Sequence, residues 1–141
     1  MIDNTGRAVL AGFSQLAFIP DPSSVSSWAP GSSVPLMIPE HLTPERFGSS
    51  KRQLMRESDC YLLGMVIYGI LSGSVPFGTS NPLAVFCKVL NGEHPERPQG
   101  DAGKLFTDDI WNVLERCWKT EPSERASAKD VLWYLEGNPL L

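Results

Sequence analysis

Residues 58–72 read Ser-Asp-Cys-Tyr-Leu-Leu-Gly-Met-Val-Ile-Tyr-Gly-Ile-Leu-Ser, apolar on nearly every face of a helix. Ser58 or Asp59 offers an N-cap and Gly73 a stop. A helix that is apolar all round has to be surrounded by protein, so this segment is predicted to be the central helix of the fold. Residues 107–119 follow the helical period closely, with Ile110, Val113, Leu114, Cys117 and Trp118 at i, i+3, i+4, i+7 and i+8. Thr107 is placed to cap that helix, and Asp108 and Asp109 suit the positive end of its dipole. Residues 81–91 predict a further helix with Leu83, Phe86, Val89 and Leu90 on one face. The last helix starts at Ser127, where Asp130 completes an S-x-x-D capping pattern, and ends at Gly137.

The first third of the chain is patterned differently. Residues 1–11 predict a small hairpin: Met1-Ile2 coming in, Asp3-Asn4-Thr5-Gly6 as the turn, Arg7 to Ala11 going out. Residues 19–36 are rich in Pro, Ser and Gly and carry no period, which marks a long loop. Its hydroxyls, Ser23, Ser24, Ser26, Ser27, Ser32 and Ser33, either accept phosphate or are simply solvated. Residues 37–42 can open a short helix with Pro39 in its first turn. Residues 92–104 form a breaker-rich loop. The order is hairpin, long loop and five helices: a mostly α chain with one scrap of sheet at the front.

Composition narrows the function. A length of 141 residues suits one domain with a real core. The net charge of −4 gives no basic footprint for nucleic acid. The longest apolar run, Cys60 to Leu71, is shorter than the ~20 residues a bilayer span needs, so no membrane is expected. The N-terminus lacks the basic and apolar regions of a signal peptide. Cys60, Cys87 and Cys117 lie far apart inside apolar patterns, which predicts buried thiols in a reducing, cytoplasmic compartment and neither disulfides nor a zinc site. His41 and His94 are isolated from each other and from cysteine, and neither is assigned to a metal. Trp111 and Trp118 read as core.

Four segments now line up in order. Residues 2–17, "IDNTGRAVLAGFSQLA", resemble the protein-kinase segment that ends in the metal-binding Asp-Phe-Gly. Residues 37–40, "MIPE", look like the Ala-Pro-Glu that closes a kinase activation segment. Residues 57–77, "ESDCYLLGMVIYGILSGSVPF", are similar to the family's central helix F and the Gly-x-x-Pro-Phe after it. Residues 116–127, "RCWKTEPSERAS", resemble the link between the last helices of tyrosine-kinase-like members. The resemblance implies the large, C-terminal lobe of a protein-kinase-like domain over residues 1–141, with a remnant hairpin (1–11), an activation-segment-like loop (12–40) and a helical core (58–137). The glycine-rich lid, the nucleotide-positioning Lys and the His-Arg-Asp catalytic loop do not occur in this sequence and are expected upstream of Met1.

The resemblance also assigns residues. The family's Asp holds magnesium, a hard cation that takes oxygen ligands, against ATP phosphates. Gly12 stands in that place without a side chain; Phe13 matches the family's Phe, either as a plain core aromatic or as a switch; Ser14 replaces the Gly. No catalytic, cofactor-binding or metal residue is therefore expected, and ATP and magnesium belong to the family rather than to this chain. Glu40 and Arg125 match the ends of an ion pair that ties the activation segment to the late helices. Asp59 matches a residue that bonds the catalytic loop, and without that loop it is expected to serve as the cap of the 58–72 helix. The expected function is a binding or scaffold module, inactive in phosphoryl transfer, whose protein partner covers the apolar surface of the 58–72 helix. The alternatives are a piece of an active ATP-dependent kinase and a generic helical interaction domain.

Overall fold

The computed structural model describes residues 2–9, 43–44, 55–78 and 81–137. Among these residues five α-helices follow one another: α1 (Arg56–Ser72), α2 (Pro82–Leu90), α3 (Gly100–Gly103), α4 (Asp108–Cys117) and α5 (Ala128–Leu135), with a 3-10 turn at Pro122–Glu124 before α5; the helix expected over 37–42 lies outside them. The architecture is mostly α, as the pattern predicts. At the front, the hairpin turn is present. The Asp3 carboxylate accepts from the Thr5 amide at 2.9 Å, the Thr5 hydroxyl at 2.7 Å and the Arg7 amide at 2.9 Å, and Gly6 takes φ 82°. Those bonds hold the Asp3 carboxyl down at about 2, the Thr5 hydroxyl contributing most. The described part of the predicted outgoing strand makes only a single antiparallel bridge, Ile2 with Ala8. Two incoming residues give a ladder too little to pair with.

Helix α1 begins earlier than the sequence predicts. Met55 is its N-cap, in extended backbone (φ −129°, ψ 143°), and Ser58 and Asp59 lie inside the first turn. Asp59 is therefore not the cap; with Glu57 it places negative charge in the first turn, at the positive end of the helix. The predicted stop holds: Gly73 takes φ 66°, and its amide donates to the Gly69 carbonyl.

The core joins α1 to α4. Tyr61, Met65 and Tyr68 pack with Phe106, Val113, Leu114, Cys117 and Trp118, and Ala126 and Val131 close the side toward α5. At Gly64 α1 lies close against the end of α4: a Cβ there would sit 2.7 Å from Trp118 Nε1 and 2.9 Å from Cys117 Cβ. Enclosure on every side, expected for an all-apolar helix, is not achieved: Val66 is 51% and Ile70 74% exposed. α4 buries the face its period predicts, and the Thr107 hydroxyl accepts from the Ile110 amide. α5 carries the reciprocal box: Ser127 Oγ accepts from the Asp130 amide while Asp130 accepts from the Ser127 amide at 2.8 Å.

Three further expectations are corrected. α2 buries Val85 and Val89 with Phe86 beside them, while Leu83 is 68% exposed and Leu90 also faces out. Cys87 stands on the far side of that helix from Val85 and Val89 and is exposed, whereas Cys60 and Cys117 are buried thiols. The loop 92–104 contains the short helix α3, whose Gly103 passes so close to the Pro98 carbonyl that no Cβ would fit.

Candidate functional site

The sequence-assigned residues divide in two. Gly12, Phe13, Ser14 and Glu40 lie outside the described residues, and with them one end of the expected Glu40–Arg125 pair. Asp59 and Arg125 are described and sit at the same end of the molecule, where the first turns of α1 and α5 meet the link after α4.

That link is organised around Arg125. After α4 the chain passes through Lys119, Thr120 and Glu121, makes the 3-10 turn and reaches Arg125 in extended backbone (φ −71°, ψ 147°). The Arg125 side chain turns back under this loop and is 8% exposed. Its Nε donates to the Lys119 carbonyl at 2.8 Å and one Nη to the Thr120 carbonyl at 3.3 Å. The other Nη donates to the Glu57 carbonyl in the first turn of α1 at 3.0 Å. The guanidinium also lies 5.0 Å from the centre of the Tyr61 ring. A buried cation is tolerable only when its donors are used, and the planar fork of arginine serves several acceptors at once. Arg125 thus fastens the α4–α5 link to α1.

Beside it runs a groove of about 690 Å³. Among the described residues its apolar lining comes from Cys60, Leu63 and Ala126, and its charged edge from Arg56, Glu57, Asp59 and Lys129. The volume falls within the range of ligand clefts. The groove's thiol is a poor nucleophile, since burial raises Cys60; burial likewise pushes Cys117, in the core, up to about 12. Among the described residues, no group of three or more His, Cys, Asp or Glu could hold a metal ion. No helix among them is long and apolar enough to cross a membrane. What this end of the molecule offers is a rigid joint and a mixed-charge surface.

Two features of the joint escape the sequence. The carbonyls of Lys119, Thr120 and Glu57 carry no side-chain signature, and Tyr61 under the guanidinium reads as one more apolar residue of α1. Only the Arg125 motif itself signals that something is held there.

The profile of the family described as "Protein tyrosine and serine/threonine kinase" matches residues 30–135. The serine/threonine-protein kinase PkaA of Streptomyces coelicolor is 31% identical over 93 residues, which cover 66% of this chain and 16% of that protein. The STE20-related kinase adapter protein strd-1 of Caenorhabditis elegans is 26% identical over 110 residues, 64% of this chain and 28% of that protein. The receptor-interacting serine/threonine-protein kinase 4 of Mus musculus is 28% identical over 99 residues, 64% of this chain and 12% of that protein. The chain thus spans well under a third of the length of these relatives.

Proposed function

Because this chain belongs to the protein tyrosine and serine/threonine kinase family, we propose that it serves as a kinase-like large lobe that binds a protein partner and does not itself transfer phosphate. One sequence feature carries the reading: residues 2–17 resemble the segment that ends in the family's Asp-Phe-Gly, and Gly12 stands where that resemblance puts the magnesium-binding Asp. Phosphoryl transfer rests almost wholly on positioning and charge neutralisation, and a glycine supplies no oxygen ligand for the cation. ATP and magnesium are the family's cofactors. Among the described residues none form a group fit to hold the ion.

The partner surface in this reading is the outer face of α1, where Val66 and Ile70 stand in solvent one helical turn apart. An adapter role also has a namesake in the family, the kinase adapter protein strd-1. In this reading Glu40 reaches Arg125 and pins the end of the activation-like loop to the α4–α5 link, leaving the loop as part of the binding surface. The reading places the chain in the cytoplasm, where its thiols stay reduced.

Two measurements test it. Incubation of the purified chain with radiolabelled ATP, magnesium and a generic acceptor protein is expected to give no incorporation. A thermal shift with ATP is expected to be the same with and without magnesium. Incorporation that persists in freshly repurified protein, or a shift that requires magnesium, defeats the proposal.

A second reading follows from the fraction of each relative that is matched. A stretch covering 16% of PkaA can be part of a longer, working kinase. An upstream reading frame encoding a glycine-rich lid and His-Arg-Asp, with phosphate transfer by the whole product, distinguishes that case.

A further inference from the structure

The loop between α2 and α3 lies across the aromatic side of α4 and is fixed at two points. The Tyr68 hydroxyl donates to the Glu96 carbonyl at 3.0 Å. Arg97 bonds the Asp108 carboxylate at 2.7 Å, donates to the Phe106 carbonyl and sits 5.9 Å from the centre of the Trp111 ring. His94 lies on the same loop. Its ring stacks on Trp118 at 5.4 Å between centroids and 23° between planes, and it meets Trp111 edge-on at 6.1 Å. Trp118 is buried, and its indole N–H has no hydrogen-bond partner among the described residues; His94 keeps its outer side exposed to solvent.

We propose that His94 makes this loop a pH-responsive clasp, the protonated ring holding the Trp118 face more strongly than the neutral ring. Histidine is the side chain whose charge changes in the physiological range, and indole is the best aromatic partner for a cation. Hydrogen bonding works in the same direction. His94 Nδ1 lies 3.2 Å from the Pro95 carbonyl. The imidazolium always presents an N–H to that oxygen, whereas the neutral ring does so in only one tautomer. The neighbouring charges are of both signs. Glu93 and Glu96 flank His94 on the loop, and the charge of Arg97 is met by Asp108. On α4, Glu115 accepts from Trp111 Nε1 at 2.7 Å, and Lys119 follows Trp118. From α1 the loop meets Tyr68, whose phenol burial pushes up, so it stays neutral. Acid therefore tightens the loop over the aromatic core, and base loosens it.

The test is hydrogen exchange of the Trp118 indole N–H and the Glu93 amide in the full chain, at about pH 5.5 and about pH 8, as protection factors corrected for intrinsic exchange. Protection is expected to be roughly two- to fivefold greater in acid, the size of an exposed cation–π contact. His94→Gln, checked by circular dichroism to be folded, is expected to give equal protection at both pH values. Equal protection in the unmutated protein overturns the proposal on its own, whatever the variant does. A pH difference that survives in His94→Gln overturns it as well.

Discussion

Arg125 shows how a charged side chain can work as a structural pin. Its donors reach carbonyls on both sides of the joint, two in its own link and one in α1. Arg125→Ala strips donors from three backbone carbonyls and is expected to cost about 3 kcal/mol in chemical denaturation, since each buried acceptor left without a donor costs roughly 1–3 kcal/mol. Limited proteolysis should then cut faster in the segment after Gly12, if Glu40 leans on the same cation. Arg125→Lys should recover only part of the loss, because a point charge cannot reproduce the fork. Gly64 acts by having no side chain at all. Its Cα faces the Trp118 indole at a separation that leaves no room for a methyl group. Gly64→Ala, although it favours helix locally, is expected to destabilise the protein by ~1–3 kcal/mol through overpacking, read as a lower denaturant midpoint.

Among the elements, α4 and α5 are the ones the sequence announces. α4 is amphipathic over its whole length and has a hydroxyl cap, so period and boundary agree. α5 is fixed by its box: the Ser127 hydroxyl and amide hold the Asp130 carboxyl below its ordinary value, the hydroxyl contributing most. A carboxyl lowered by folding stabilises the native state above the unfolded carboxylate's titration and loses that contribution as pH falls through the lower, folded value. Ser127→Ala should therefore cost about 1 kcal/mol near neutrality and flatten the acid limb of the stability–pH curve. Where the sequence falls short, the reasons are physical. α2 is apolar on most sides, so nothing in Leu83, Val85, Phe86, Val89 and Leu90 says which of them the core selects. α3 hides between glycines; Gly100 takes φ 67° and Gly103 is needed for the approach of Pro98. The start of α1 was masked by two good capping residues, Ser58 and Asp59, lying inside the helix. At the candidate site the sequence reveals Arg125 but not its acceptors, because backbone carbonyls look the same in every residue.

At the scale of the molecule, the outer face of α1 is the surface the proposed function uses. α1 is packed against α4 on one side and presents Val66 and Ile70 to water on another. Replacing both with serine is expected to leave the thermal midpoint nearly unchanged, since neither is buried. It should also reduce concentration-dependent self-association in sedimentation velocity, and with it capture of a partner that uses this face. If the double variant associates as readily as the parent, that face is not where the chain meets others.

The contact at Gly64 has a consequence for how such a chain can change over generations. Two helices that touch where one has no side chain are locked in relative register, because sliding by one residue would bring Leu63 or Met65 against the indole. Insertions and deletions should therefore accumulate in the connection 73–81, where lengthening a loop costs little, while the spacing from Tyr61 to Tyr68 and from Val113 to Trp118 stays constant.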